Sequence, residues 1–138
     1  MDWKTCCDKR IVKGIKEDTE LLRSLIKTSE NKQASEKKLA LDRITAASKL
    51  SLAYDALREL LEALAIKKGF KVYNHECYTA FLKEVVKNSE KGDEFDEIRK
   101  ERNAVNYYGK EITPEEAQKL IRTIDTLILF VKKILNEE

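Results

Sequence analysis

The side chains best placed to do chemistry are Arg99, Arg102, Asn103 and Asn106, spaced by three, one and three residues. At about 100° per residue a helix puts all four on one arc. Phe95, Ile98, Val105 and Tyr108 fall on an adjacent apolar arc, and Arg102 lies nearest its edge, between Phe95 and Ile98 on the wheel. A guanidinium there is partly desolvated and needs partners. Its five donors in a fixed fork suit a phosphate or a carboxylate. With the two amides and neighbouring Tyr107, the pattern makes a binding surface for a phosphorylated ligand. The competing reading makes Arg102 an internal clamp on a carboxylate of another helix, Asp42 or Asp55. Spacing alone favours the clamp.

The sole histidine, His75, follows Asn74 at the opening of another helical stretch. A structural role is the simpler expectation; a functional one requires that helix start to lie beside Arg102. Cys6, Cys7 and Cys77 make no ligand set, because a zinc site would lack partners. They read as incidental reduced thiols, which fits a cytoplasmic protein. No metal or cofactor is expected. The net charge is only +2, so no global field marks a duplex-DNA binder. No apolar run reaches the roughly 18 to 20 residues that cross a bilayer, and the N-terminus lacks a signal-peptide core.

The 138 residues, 38% of them charged and 42% hydrophobic with a single proline, suit one all-α domain with solvated outer faces. Ala117, Leu120, Ile121, Ile124, Leu127, Ile128, Val131, Ile134 and Leu135 recur at three- and four-residue steps, the stripe of an amphipathic helix. Thr113-Pro114-Glu115-Glu116 opens that helix with a cap, a first-position proline and a capping box. The pattern predicts a first helix through Ile11, Ile15, Leu22, Leu25 and Ile26 that ends in the polar residues 29–33. The longest helix follows over residues 35–68 and is stopped by Gly69. A short third helix is capped by Asn74, with Cys77, Tyr78, Phe81, Leu82 and Val85 facing inward. Residues 88–93 read as a turn, and Asp93 caps a fourth helix that runs to Tyr108 and stops at Gly109. No strand alternation competes. About five helices make an antiparallel bundle, a four-helix up-down core plus an extra short helix.

The stretch from Ile98 to Gly109, Ile98-Arg99-Lys100-Glu101-Arg102-Asn103-Ala104-Val105-Asn106-Tyr107-Tyr108-Gly109, resembles the HEPN domain (higher eukaryotes and prokaryotes nucleotide-binding). So do the segment from Tyr54 to Ala65 and the turn Lys68-Gly69-Phe70 with Asn74-His75, and the likeness spans residues 40–134. The resemblance implies a helical bundle, often homodimeric, paired with a small nucleotidyltransferase in a toxin–antitoxin-like arrangement. Active members are metal-independent ribonucleases with an Arg, a polar neighbour and a His four to six residues on. Arg102 matches the Arg and Asn103 the neighbour. The His is missing: four intervening residues after Arg102 lead to Tyr107 and six to Gly109, while six after Arg99 lead to Asn106. None of these titrates near neutral pH as imidazole does.

The resemblance therefore implies a nucleotide- or RNA-phosphate-binding module without ribonuclease activity, using Arg99, Arg102, Asn103, Asn106 and Tyr107. Two alternatives stand beside it. One is a metal-independent ribonuclease drawing on Arg102, Tyr107 or His75; the other is a purely structural interaction bundle. In some paired systems the nucleotidyltransferase modifies a tyrosine near the motif, but here the register falls on Gly109, and Tyr108 reads as core.

Overall fold

A computed structural model describes residues 1–137. It shows a mostly helical bundle: α1 (Trp3–Asp8), β1 (Val12–Gly14), α2 (Thr19–Lys38), α3 (Ala46–Lys67), β2 (Phe70–Val72), α4 (Glu76–Ala80), a π-helical turn (Phe81–Val85), α5 (Ser89–Tyr107) and α6 (Pro114–Glu137). The central element is α3, which packs against α2, α5 and α6. Its Leu50, Tyr54, Leu57, Leu60, Leu61 and Leu64 are fully buried, as are Phe81 of the π turn and Phe95 of α5. No helix among the described residues is long and apolar enough to cross a membrane.

The start of α6 forms as its residues dictate. Glu116 N–H donates to Thr113 Oγ1 at 3.1 Å, and Thr113 N–H to Glu116 Oε1 at 3.3 Å, a reciprocal capping box. The helix buries Ala117, Ile121, Ile124, Leu127, Ile128, Val131 and Leu135.

Other boundaries depart from the sequence pattern. The first helix does not include Ile11 and Ile15: α1 ends at Asp8, and Val12–Gly14 pairs antiparallel with Phe70–Val72 in a three-residue register, Val12 opposite Val72. Strands this short carry no readable alternation. Gly69, at φ 93°, turns the chain from α3 into β2, a conformation glycine adopts without a Cβ clash. The polar residues 29–33 do not end a helix. Ser29 is buried inside α2 and donates to the Ala56 carbonyl at 2.7 Å, so its polarity serves packing.

The helix expected over residues 35–68 breaks at residues 39–45. There Asp42 Oδ1 accepts from the N–H groups of Ile44 and Thr45 at 2.8 and 2.9 Å, a local alternative to helical bonding. The turn expected at residues 88–93 is helix, because Asn88 rather than Asp93 is the cap, its Oδ1 accepting from Lys91 N–H at 3.1 Å. Gly92 lies within α5, where a Cβ would stand 2.5 Å from Lys83 Cγ. Asn74 does help open α4, accepting from Glu76 N–H at 2.9 Å.

The cysteines require a further correction. Cys6 and Cys77, both fully buried, form a disulfide that joins α1 to α4, while Cys7 is free. The β1–β2 pairing and the packing of Trp3 on Phe70 and Phe81 fold the N-terminal segment back against this region. That proximity of residues far apart in sequence is what the cysteine count could not disclose.

Candidate anion site around Arg102

Arg102 projects from α5 between two aromatic rings. Its guanidinium carbon lies 4.9 Å from the Tyr54 ring centroid and 5.6 Å from that of Tyr107, within cation–π range. Nη1 donates to the Tyr107 hydroxyl at 3.3 Å. The nearest carboxylate contact is Nη2 to Asp55 Oδ1 at 3.7 Å, too long for a hydrogen bond. The Nε–H group is buried and has no hydrogen-bond partner among the described residues. The side chain as a whole is 13% exposed. This cation is stacked and loosely balanced, with donor capacity to spare.

Arg99 is disposed differently. Its Nε and Nη2 donate to Asp96 Oδ1 at 3.2 and 2.9 Å, and Thr79 Oγ1 donates to the same oxygen at 3.1 Å. Arg99 thus leans toward α4, where it lines a cleft of about 450 Å³ with Thr79, Lys83 and the N-terminal Met1 and Asp2. Asn106 is exposed and accepts from Ser51 Oγ at 3.3 Å, and Asn103 is half-buried. The two arginines therefore share a helix arc but not a set of contacts. Asp42, the other carboxylate considered for Arg102, is occupied by its own turn. Tyr108 is 84% exposed rather than core, because α5 ends at Tyr107 and the next residue no longer follows the helical wheel.

The structure adds Tyr54, which lies in the apolar stripe of α3 with Leu50, Leu57 and Leu61. Tyr54 is fully buried on α3, and its hydroxyl lies 3.1 Å from Nδ1 of His75. One face of its ring carries Arg102, and the ring also stacks on Phe95 at 6.0 Å. His75 and Arg102 are thereby joined through a single tyrosine. The available signal was chemical: a tyrosine within an apolar stripe must place its hydroxyl somewhere.

Burial sets the charge state of both rings, and the neighbouring arginines modify it. Burial is the largest influence on His75 and holds its pKa below 6.5; repulsion from Arg58, Arg102 and Arg99 adds to it, and Asp55 opposes. Burial likewise pushes the Tyr54 hydroxyl well above its ordinary value of 10, against the pull of the same three arginines. At neutral pH the cluster holds a neutral imidazole and a protonated tyrosine beside cations.

Fold and cluster together define a mostly helical bundle with a partly desolvated arginine–tyrosine–histidine cluster drawn from α5, α3 and the start of α4. No protein-family model, curated protein or solved structure matches the chain.

Proposed function

We propose that this chain is a HEPN-like binding module that holds the phosphate of a nucleotide or of RNA at Arg102. The observation that carries the reading is the buried Nε–H of Arg102, which has no hydrogen-bond partner among the described residues, while the nearest carboxylate contact of the side chain is Asp55 at 3.7 Å. A buried donor left unmet costs roughly 1–3 kcal/mol, and an anionic oxygen removes that cost with a charge-assisted bond. Tyr107, 69% exposed beside the guanidinium, offers a ring on which a base can stack. Homodimerisation, a nucleotidyltransferase partner and a toxin–antitoxin role belong to the same proposal through the resemblance. A cytoplasmic location belongs to it too, and there the Cys6–Cys77 bond meets a reducing thiol pool.

Calorimetric titration with uridine monophosphate and a short single-stranded RNA tests this. Arg102→Ala is expected to weaken binding about 100-fold, within the range for truncating one partner of a buried charge pair, with helix content unchanged by circular dichroism. Asp55→Asn removes the competing carboxylate and is expected to tighten binding several-fold. An internal clamp makes the opposite forecast: Asp55→Asn loses stability, and neither ligand binds. Unchanged affinity in Arg102→Ala eliminates the site.

One observation favours a second reading. Because His75 shares Tyr54 with Arg102, a metal-independent ribonuclease would have an imidazole to accept the 2′-hydroxyl proton while Arg102 stabilises the phosphorane charge. RNA cleavage in EDTA, lost in both Arg102→Ala and His75→Ala, would select it.

A further inference from the structure

The Tyr54–His75 contact decides which of these two chemistries the imidazole can serve. This inference rests on the phosphate-binding reading and deepens it. Two arrangements fit a 3.1 Å separation between Tyr54 Oη and His75 Nδ1. Either the tyrosine donates to a bare Nδ1, or a protonated Nδ1 donates to the tyrosine oxygen. They differ in which polar hydrogens are left without an acceptor.

In the second arrangement the Tyr54 hydroxyl hydrogen needs another acceptor. Tyr54 is 0% exposed, so water cannot serve, and among the described residues His75 is the hydrogen-bond partner of its hydroxyl. A buried O–H group would then be unmet. In the first arrangement the hydroxyl hydrogen is used, and the remaining ring hydrogen sits on Nε2 of a half-buried residue, where solvent or a ligand can take it. The charged groups around this pair are Arg58, Asp55 and Glu62 on α3 and Arg99, Arg102 and Asp96 on α5, with Arg58 held to Glu62 at 3.3 Å and Arg99 to Asp96 at 2.9 Å. Burial, the largest influence on His75, disfavours a doubly protonated ring, and the arginines act in the same direction.

We propose that Tyr54 is the positioning residue of the site: its buried hydroxyl donates to His75 Nδ1 and fixes the imidazole as the Nε2–H tautomer. The ring then offers a neutral N–H donor to a phosphate held by Arg102, and Nε2 is no free base. The same tyrosine carries the guanidinium on its ring face, so one side chain sets the placement of both groups.

His75 is the sole histidine, so long-range proton–nitrogen spectra of the full-length, nitrogen-15-labelled protein report its tautomer without assignment. Wild-type protein is expected to show protonated Nε2 and bare Nδ1 at pH 7.5. Tyr54→Phe keeps the ring beneath Arg102 and removes only the hydroxyl. It is expected to yield a mixed tautomer and to bind uridine monophosphate about tenfold more weakly. Protonated Nδ1 in the wild type overturns the proposal, and that measurement needs no variant to fold. A tautomer unmoved by Tyr54→Phe, in a variant with native helix content, overturns it as well. If uridine monophosphate binds through Arg102 yet leaves the His75 nitrogen signals unshifted, the donor role fails while the binding site stands. If the wild type binds no nucleotide, the site reading fails, and the tautomer still decides what Tyr54 does.

Discussion

Reduction of the Cys6–Cys77 disulfide is expected to lower stability by about 4 kcal/mol, the chain-entropy value for closing a loop of this length. The bond spans a sequence separation of 71 residues and ties α1 to α4. Without it α1, six residues long, is too short to persist as a helix by itself. What then holds the segment is the strand pair, the Trp3 N–H bond to Glu84 at 2.6 Å and the packing of the Trp3 ring on Phe70 and Phe81. Urea denaturation with and without a phosphine reductant measures the change, and Cys6→Ser is expected to reproduce it. Cys7→Ser, which touches the free thiol, is expected to leave the midpoint in place. Equal midpoints for oxidised and reduced protein would show that the cross-link constrains nothing the fold does not already hold.

The second large effect lies at the break between α2 and α3. Lys49 is 8% exposed, and its ammonium donates to the carbonyls of Glu36 and Leu39 at 2.7 and 2.8 Å while lying 3.5 Å from the Glu36 carboxylate. Glu36 is itself 2% exposed. One side chain thus closes the C-terminal end of α2 and neutralises a buried acid. Lys49→Met is expected to cost about 4 kcal/mol, because it removes the donor of the Leu39 carbonyl and one donor of the Glu36 carbonyl, and leaves the buried Glu36 carboxylate with Lys37 alone at 3.2 Å. Glu36→Gln is expected to cost less: the ammonium keeps both carbonyls, and the other partner of the carboxylate, Lys37 at 3.2 Å, is itself exposed and keeps Asp125 at 2.7 Å. Thermal or urea melts of the two variants give the order. If Glu36→Gln proves the more damaging, the carboxylate rather than the helix-end bonding is what Lys49 supplies.

Both effects arise where sequence periodicity is silent. A stripe of leucines and alanines along α3, and of isoleucines, leucines and valines along α6, determines the helical class, because a 3.6-residue repeat leaves only one face able to enter a core. The capping box at Thr113 and Glu116 and the left-handed stop at Gly69 are equally local, since each is satisfied within a few residues of backbone. The break at residues 39–45 needed more. Asp42 and Thr45 can bond their own turn, but Lys49 makes that turn stable only once α2 folds back over α3. The short strands and the disulfide depend in the same way on segments brought together from opposite ends of the domain.

The candidate site divides along the same line. Sequence by itself determined that Arg102 stands at the margin of an apolar face, since that follows from its spacing to Phe95 and Ile98. Tertiary structure alone decided that Arg99 turns to Asp96, that Asp55 stays 3.7 Å from Arg102, and that Tyr54 joins His75 to the guanidinium. The reason is geometric. Helical period sets the direction in which a side chain leaves its own helix, whereas its partners are set by how neighbouring helices pack, and that information is distributed over the whole core.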